Sequence, residues 1–286
     1  MKVKQIIQVL IATIIFFGFP YQNQAKSETI LEEIKRTGLI KFALRKNAVP
    51  FGYRDLDNNL SGLCLDLFQI LRKKIQQELN QDILLVKLYS SNLSNRFTVV
   101  ENRVVYLECG PNTIREGNNK NIEFSRPFFV TGTQFLVKAD NKNKFNLNRG
   151  LNNVSIGVLV NTSNEEFIRQ KYPGATLKEF QGILGRKRGI QAVQKGQIDA
   201  FASDGILLLG EAILQNLSLG QDYLLIPSHP LNCDYYGLIL PKNDPQWRDL
   251  VNSVLGSLKE QQIANNWFGL VQPYIKSTLD YCREEE

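Results

Sequence analysis

Arg45 follows a first apolar run, Arg96 opens a helix pattern, and Arg115 lies in the polar loop after a third strand pattern. A guanidinium in such a place can grip a carboxylate with two parallel N–H donors. The stretch from Val104 to Leu136 frames the last of them. Its apolar start, Val104–Leu107, breaks at Gly110-Pro111, and Asn112, Thr113 and Arg115 follow in a polar loop. A strand that ends in glycine and then offers amide, hydroxyl and guanidinium donors is built like an anion site. Thr162 and Ser163 open a helix pattern, where free backbone N–H groups favour an anion. Asp204 comes just after the strand pattern Ile198–Ala202, past Ser203, and can receive a cation. Donors for an anion and a carboxylate for a cation together match a zwitterion. Each residue also has a plainer reading. Thr162, Ser163 and Asp204 can simply cap helices, and the arginines can form surface ion pairs.

Other chemistries find no support. The single histidine, His229, stands beside Pro230 with no G-x-S-x-G element near it, and reads as a surface or packing side chain. There is no Walker loop and no dinucleotide fingerprint. The four cysteines, Cys64, Cys109, Cys233 and Cys282, form no C-x-x-C pair, so neither a zinc site nor any other metal centre is expected. No cofactor is implied. The residues point to binding rather than catalysis.

The elements that must position these side chains follow an alternating grammar. Thr29–Thr37 reads as a helix closed by Gly38, and Ile40–Leu44 as a strand. From Leu63 the period changes: Leu67, Phe68, Leu71, Ile75 and Leu79 share one helical face. Ile83–Tyr89 is the next strand, Asn95–Val100 a short helix, and Val104–Leu107 a third strand. That order argues for a parallel sheet with helices on its faces, whose ligands sit beyond the carboxyl ends of the strands. Residues 140–153, rich in Asn, Lys and Arg, read as a loop before a second module. There, Val154–Val160, Thr176–Phe180 and Ile198–Ala202 are strands, and Ser163–Tyr172, Gly189–Lys195 and Gly205–Gln215 are helices. Ser163-Asn164-Glu165-Glu166 has the form of a capping box. Leu224–Pro227 leads to a strand over Cys233–Leu240. One amphipathic helix then carries Trp247, Leu250, Val251, Val254 and Leu258.

At 286 residues, 43% apolar and 22% charged, the chain is globular and long enough for one large or two ordinary domains. Residues 1–26 are different: Lys2 and Lys4 precede the uncharged run Val9–Phe19, the layout of a secretory signal. Without residues 1–25 the formal charge falls from +6 to +4, since two lysines and no acid are lost. The mild basicity is spread along the chain, so nucleic acid is not an expected partner. For an exported protein the even cysteine count implies two disulfides. Pairing Cys64 with Cys109 and Cys233 with Cys282 gives two bridges of similar reach, and the other two connectivities stay open.

The order of several short motifs then resembles the periplasmic amino-acid-binding proteins of ABC importers, the family 3 solute-binding proteins. The carriers are Val49-Pro50-Phe51-Gly52-Tyr53, Phe124-Ser125-Arg126-Pro127-Phe128-Phe129-Val130-Thr131-Gly132, Gly196-Gln197-Ile198-Asp199-Ala200 with Asp204, and Tyr236-Gly237-Leu238 before Pro241. The resemblance implies the type II periplasmic-binding-protein fold, two α/β lobes joined by two hinge strands with a ligand cleft between them. Residues 27–133 and 238–286 would form lobe 1 and residues 134–237 lobe 2. The crossings would fall near Val130–Gln134 and Asp234–Gly237, with a Cys233–Cys282 bridge tying the C-terminal helix close to the hinge.

Within the family, Leu44-Arg45, Ser94-Asn95-Arg96 and Leu107-Glu108-Cys109-Gly110 look like the glutamate/aspartate-binding branch. There, the arginines matching Arg45 and Arg96 help hold an acidic side chain. Arg186 falls where that branch has a histidine. The family's α-carboxylate arginine lies further past the glycine than Arg115, and an ungapped count puts Asn118 there. The resemblance implies a monomeric, non-enzymatic periplasmic receptor that passes a polar or acidic L-amino acid to a membrane permease. A dehydratase on the same fold and a soluble sensor subunit are the competing readings.

Overall fold

In a computed structural model, residues 28–55, 57–115, 117 and 121–284 are described. The segment 1–26 assigned to a signal, and Asn118, lie outside them. Helix α1 (Ile30–Thr37) starts on a reciprocal cap: Thr29 Oγ1 accepts the Glu32 N–H, and the Glu32 carboxylate accepts the Thr29 N–H at 2.8 Å. Strand β1 (Leu39–Arg45) follows, then three short strands, β2 (Asn47–Ala48), β3 (Gly52–Arg54) and β4 (Leu60–Ser61), in a small antiparallel sheet. Helix α2 (Leu63–Leu79) buries Leu67, Phe68, Leu71 and Ile75, the face its spacing sets out. Next come β5 (Leu85–Ser91), α3 (Thr98–Glu101), β6 (Leu107–Cys109) and β7 (Ile122–Phe124).

The chain then leaves this unit through β8 (Phe129–Thr131) and enters a second one at β9 (Thr133–Lys138). Gly132 joins them, and a Cβ there would lie 1.7 Å from the Asn232 carbonyl oxygen, so no larger residue fits the crossing. The second unit comprises β10 (Ser155–Leu159), α4 (Ser163–Lys171), β11 (Thr176–Phe180), α5 (Gly185–Gln194), β12 (Ala200–Asp204), α6 (Gly205–Leu214) and β13 (Tyr223–Ile226). Strand β14 (Asp234–Tyr236) returns antiparallel to β8, with Asp234 opposite Thr131. The chain ends with β15 (Ile239–Pro241), α7 (Pro245–Val254), α8 (Leu258–Phe268) and α9 (Gln272–Glu284).

Two five-stranded sheets result, ordered β5-β1-β6-β15-β7 and β11-β10-β12-β9-β13. The parallel expectation holds for β5-β1-β6 and β11-β10-β12 only. The strands adjoining the crossings, β15 and β9, run antiparallel, because a chain that leaves a lobe and comes back must reverse. Other boundaries also needed correction. The third strand of the first sheet starts at Leu107 rather than Val104, which is 43% exposed. The run Cys233–Leu240 is two strands in different sheets, bent where Gly237 N–H donates to the Asn112 carbonyl. Residues 139–144 form a 3-10 turn rather than plain loop. The C-terminal segment is three helices, since Gly256 at φ 75° ends the first after Val254.

The larger core lies in the first unit. Trp247 is fully buried there and donates its indole N–H to the Tyr106 carbonyl at 2.9 Å, while Phe42 and Phe68 stack at 4.5 Å. Burial of each such side chain contributes roughly 1.5–3 kcal/mol. Ile206 and Leu207 of α6 join this core from the other unit. Both disulfides have the preferred connectivity, Cys64–Cys109 and Cys233–Cys282. The first ties α2 to the end of β6, and the second ties α9 to the start of the returning strand. Among the described residues no helix is long and apolar enough to cross a membrane.

Candidate ligand cleft

A cleft of about 790 Å³ opens between the two units, within the range of small-molecule sites. Arg45, Arg96, Thr113 and Arg115 line it from the first unit, and Thr162, Ser163, Arg186 and Asp204 from the second. The sequence-derived set therefore converges, with one exception. Asn112 is buried but does not line the cleft; its amide is bonded to Glu108.

Arg45 is the last residue of β1 and is 1% exposed. It fits because residue 110 is glycine: a Cβ at Gly110 would lie 2.6 Å from Arg45 Cγ. Behind it, the Glu108 carboxylate of β6 accepts from Ser91 Oγ at 2.6 Å and from the Asn112 amide. Burial pushes Glu108 up, against the Ser91 hydroxyl and the Arg45 charge, which hold it down. Burial likewise pushes Arg45 down to about 9; Glu108 opposes that, and the like charges of Arg96 and Arg186 add to it. Arg96 lies over the Phe97 ring at 4.8 Å and is also lowered by burial.

Arg186 enters the cleft because α5 starts at Gly185, four residues before its expected start. It is lowered by burial, with Glu211 and Asp204 opposing, and its Nη1 donates to the Asn47 carbonyl at 2.9 Å. Arg45 Nη1, Arg96 Nε and Arg186 Nε are buried without a hydrogen-bond partner. Guanidinium nitrogens in that condition are costly unless an acceptor meets them.

The N-cap of α4 is Thr162 rather than Ser163. Thr162 Oγ1 accepts from the Glu165 N–H at 3.2 Å and donates to the Leu159 carbonyl at 2.6 Å. Ser163 is thereby released toward the cleft, where its Oγ lies 3.2 Å from Thr113 Oγ1. Arg115 reaches Glu166 of the same helix at 3.2 Å, but both side chains are about half exposed, and such pairs contribute only ~0–1 kcal/mol. Asp204 ends β12 at the start of α6 and makes no side-chain cap bond. Its Oδ1 instead accepts from Asn164 Nδ2 at 3.1 Å, and the same amide donates to Thr133 Oγ1 at 3.0 Å.

Three residues escaped the sequence reading. Asn47 and Asn164 are ordinary polar residues beside flagged ones, and proximity to Arg45 and Ser163 was the only available signal. Asp234, on the returning strand, is pushed up to about 7 by burial and by the Asp204 charge. His229 stacks on Tyr281 with ring centroids 5.2 Å apart and is absent from the cleft lining. Among the described residues no group of three or more His, Cys, Asp or Glu side chains could hold a metal.

The arrangement offers guanidinium donors from both units, a helix start with a hydroxyl facing the cleft, and a buried carboxylate. Such a set can hold a small zwitterion with an extra anionic group. Residues 40–270 match the family described as bacterial extracellular solute-binding proteins, family 3. The chain is 29% identical over 246 residues to the glutamate/aspartate import solute-binding protein of Escherichia coli (strain K12), covering 83% of this chain and 78% of that protein. It is 24% identical over 271 residues to the L-cystine-binding protein TcyJ of the same strain, covering 93% and 96%. A solved ABC uptake transporter substrate-binding protein from Streptococcus pneumoniae with bound histidine superposes with a TM-score of 0.72 at 14% identity, covering 85% of this chain and 98% of that one. At that identity the likeness speaks to fold alone.

Proposed function

The chain belongs to the bacterial extracellular solute-binding proteins of family 3, with the type II periplasmic-binding-protein fold, and from that premise we propose that it captures an acidic L-amino acid. Glutamate and aspartate are the favoured ligands within a wider class of polar amino acids. Capture is by closure of lobe 2, residues 134–237, on lobe 1, residues 27–133 with 238–286. The loaded protein then delivers its ligand to an ABC permease from the periplasmic side, residues 1–26 having served as the export signal. It acts as a receptor and not as an enzyme.

One observation carries this reading. Arg45, Arg96 and Arg186 converge on a single cleft, each with a buried nitrogen lacking an acceptor, while Asp204 lies in the same cleft. A distal carboxylate meets the three guanidinium groups. The ammonium meets Asp204, and the α-carboxylate meets Ser163 with Arg115 at the start of α4. The relatives differ in what their names say they bind, glutamate/aspartate in one and L-cystine in another. The arginine trio favours the acid, because a neutral side chain leaves buried donors unmet at roughly 1–3 kcal/mol each.

Calorimetric titration of the ligand-stripped mature chain against the twenty L-amino acids and L-cystine tests the reading. Tight binding confined to glutamate or aspartate supports it. Tight binding of cystine or of a basic amino acid overturns the ligand assignment, and binding of none overturns the receptor reading.

A further inference from the structure

Asn47 bonds both sides of the cleft. Its Oδ1 accepts from Arg45 Nε at 3.3 Å, within the first unit. Its Nδ2 donates across to the Ile183 carbonyl at 2.9 Å, and its own carbonyl accepts from Arg186 Nη1 at 2.9 Å. Ile183 precedes α5 and Arg186 lies in its first turn, so one residue grips the start of that helix by side chain and main chain together. The grip is reciprocal, one donor passing each way. By contrast, the Arg115–Glu166 pair spans the cleft through half-exposed side chains and holds it weakly.

What Asn47 brings together has a cost. Arg45 and Arg186 are buried cations, and Arg186 is one of the charges that disfavour a charged Arg45. Holding α5 against β2 therefore opposes like charges in a dry place, where such repulsion is strong. Asn47 supplies a neutral acceptor to each guanidinium but no counter-charge. The buried Glu108 lies behind Arg45, and Glu211 and Asp204 act on Arg186 from the second unit. The unmet Arg45 Nη1 and Arg186 Nε remain for a group placed between the units.

Building on the amino-acid reading above, we propose that Asn47 is a specificity-determining positioning residue: it latches α5 to lobe 1, sets Arg186 beside Arg45, and so makes closure depend on a distal anionic group of the ligand. A ligand with a distal acid completes the latched state. The corresponding amide leaves the guanidinium groups facing one another with no counter-charge placed between them, and the latch releases. Discrimination between acid and amide thus sits in escape from the closed form rather than in encounter.

Stopped-flow association and dissociation of L-glutamate and L-glutamine, measured on the mature chain, tests this for the wild type, Asn47→Ala and Arg186→Gln. Thermal melting runs alongside. Asn47→Ala removes the Oδ1 acceptor of Arg45 and the one side-chain bond to Ile183 across the cleft, and is expected to speed glutamate dissociation about tenfold while changing association less than about twofold. The preference for glutamate over glutamine narrows in the same variant, and narrows further in Arg186→Gln. A purely structural role would lower the melting temperature and leave the preference unchanged. If Asn47→Ala melts early, the near-isosteric and uncharged Asn47→Leu carries the same expectation, since it removes the donor to the Ile183 carbonyl without adding a counter-charge. Unchanged dissociation and unchanged preference overturn the latch and leave the amino-acid reading standing. Failure of the wild type to bind any amino acid overturns both.

Discussion

Asn164 donates its side-chain amide to Asp204 at 3.1 Å, joining the first turn of α4 to the end of β12. The bond orients a buried carboxylate that lines the cleft, and it draws the helix start toward the same point.

Removing that carboxylate should abolish capture. Asp204→Asn is expected to weaken amino-acid binding by at least about a hundredfold, because a buried ammonium then loses the charged partner proposed for it. Asn164→Ala should cost about tenfold, since Asp204 keeps its charge and loses its orientation. Calorimetry of both variants against one ligand measures the two effects.

Glu108 bears on stability more than on contact. It is fully buried on the strand beside that of Arg45 and its charge favours the Arg45 cation, so its loss strands a buried cation. Glu108→Ala should destabilise the fold by about 3–5 kcal/mol, read from urea unfolding. Glu108→Gln keeps the acceptor for Ser91 and should cost less.

Gly110 tests the fit of Arg45. A methyl there would meet Arg45 Cγ at 2.6 Å, and the arginine must move to admit it. Gly110→Ala should weaken glutamate binding by about tenfold or more while altering glutamine binding much less, since the displaced group serves the distal acid. Equal losses for the two ligands would point to a general distortion.

The Asp234 carboxyl gives the molecule a pH dependence of definite sign. Its folded value is pushed up to about 7 from an ordinary 3.8, by burial first and then by Asp204. Between those values the native state holds a proton that the unfolded chain has released. Stability therefore falls as pH rises through that window. Urea midpoints of the ligand-free protein should be higher at pH 5 than at pH 8, and Asp234→Asn should flatten the difference.

Much of the fold was legible because side-chain period reports element type directly. The α2 face and strand Thr176–Phe180 are examples, the latter matching to the residue. The split of Cys233–Leu240 was not legible. Its apolar run is continuous, and the bend comes from a bond between Gly237 and Asn112, more than a hundred residues apart. In the site, residues at strand ends were visible because a charge there has little packing reason to exist. Asn47 and Asn164 were invisible for the opposite reason. Amides beside a turn or a helix start are commonplace, and their importance comes from partners distant in sequence, the start of α5 for Asn47 and the end of β12 for Asn164. Asn112 misled in the same way, as a loop amide whose side chain turns inward to a buried acid.

The central claim is that three arginines read a distal acid. The most direct measurement is the ratio of L-glutamine to L-glutamate dissociation constants, by calorimetry, in the wild type and in Arg45→Met. The wild-type ratio should exceed about a hundred, as for two or more buried donors left unmet by the amide, and should collapse by at least tenfold in the variant. A wild-type ratio near one, or a ratio that Arg45→Met leaves unchanged, would contradict the account.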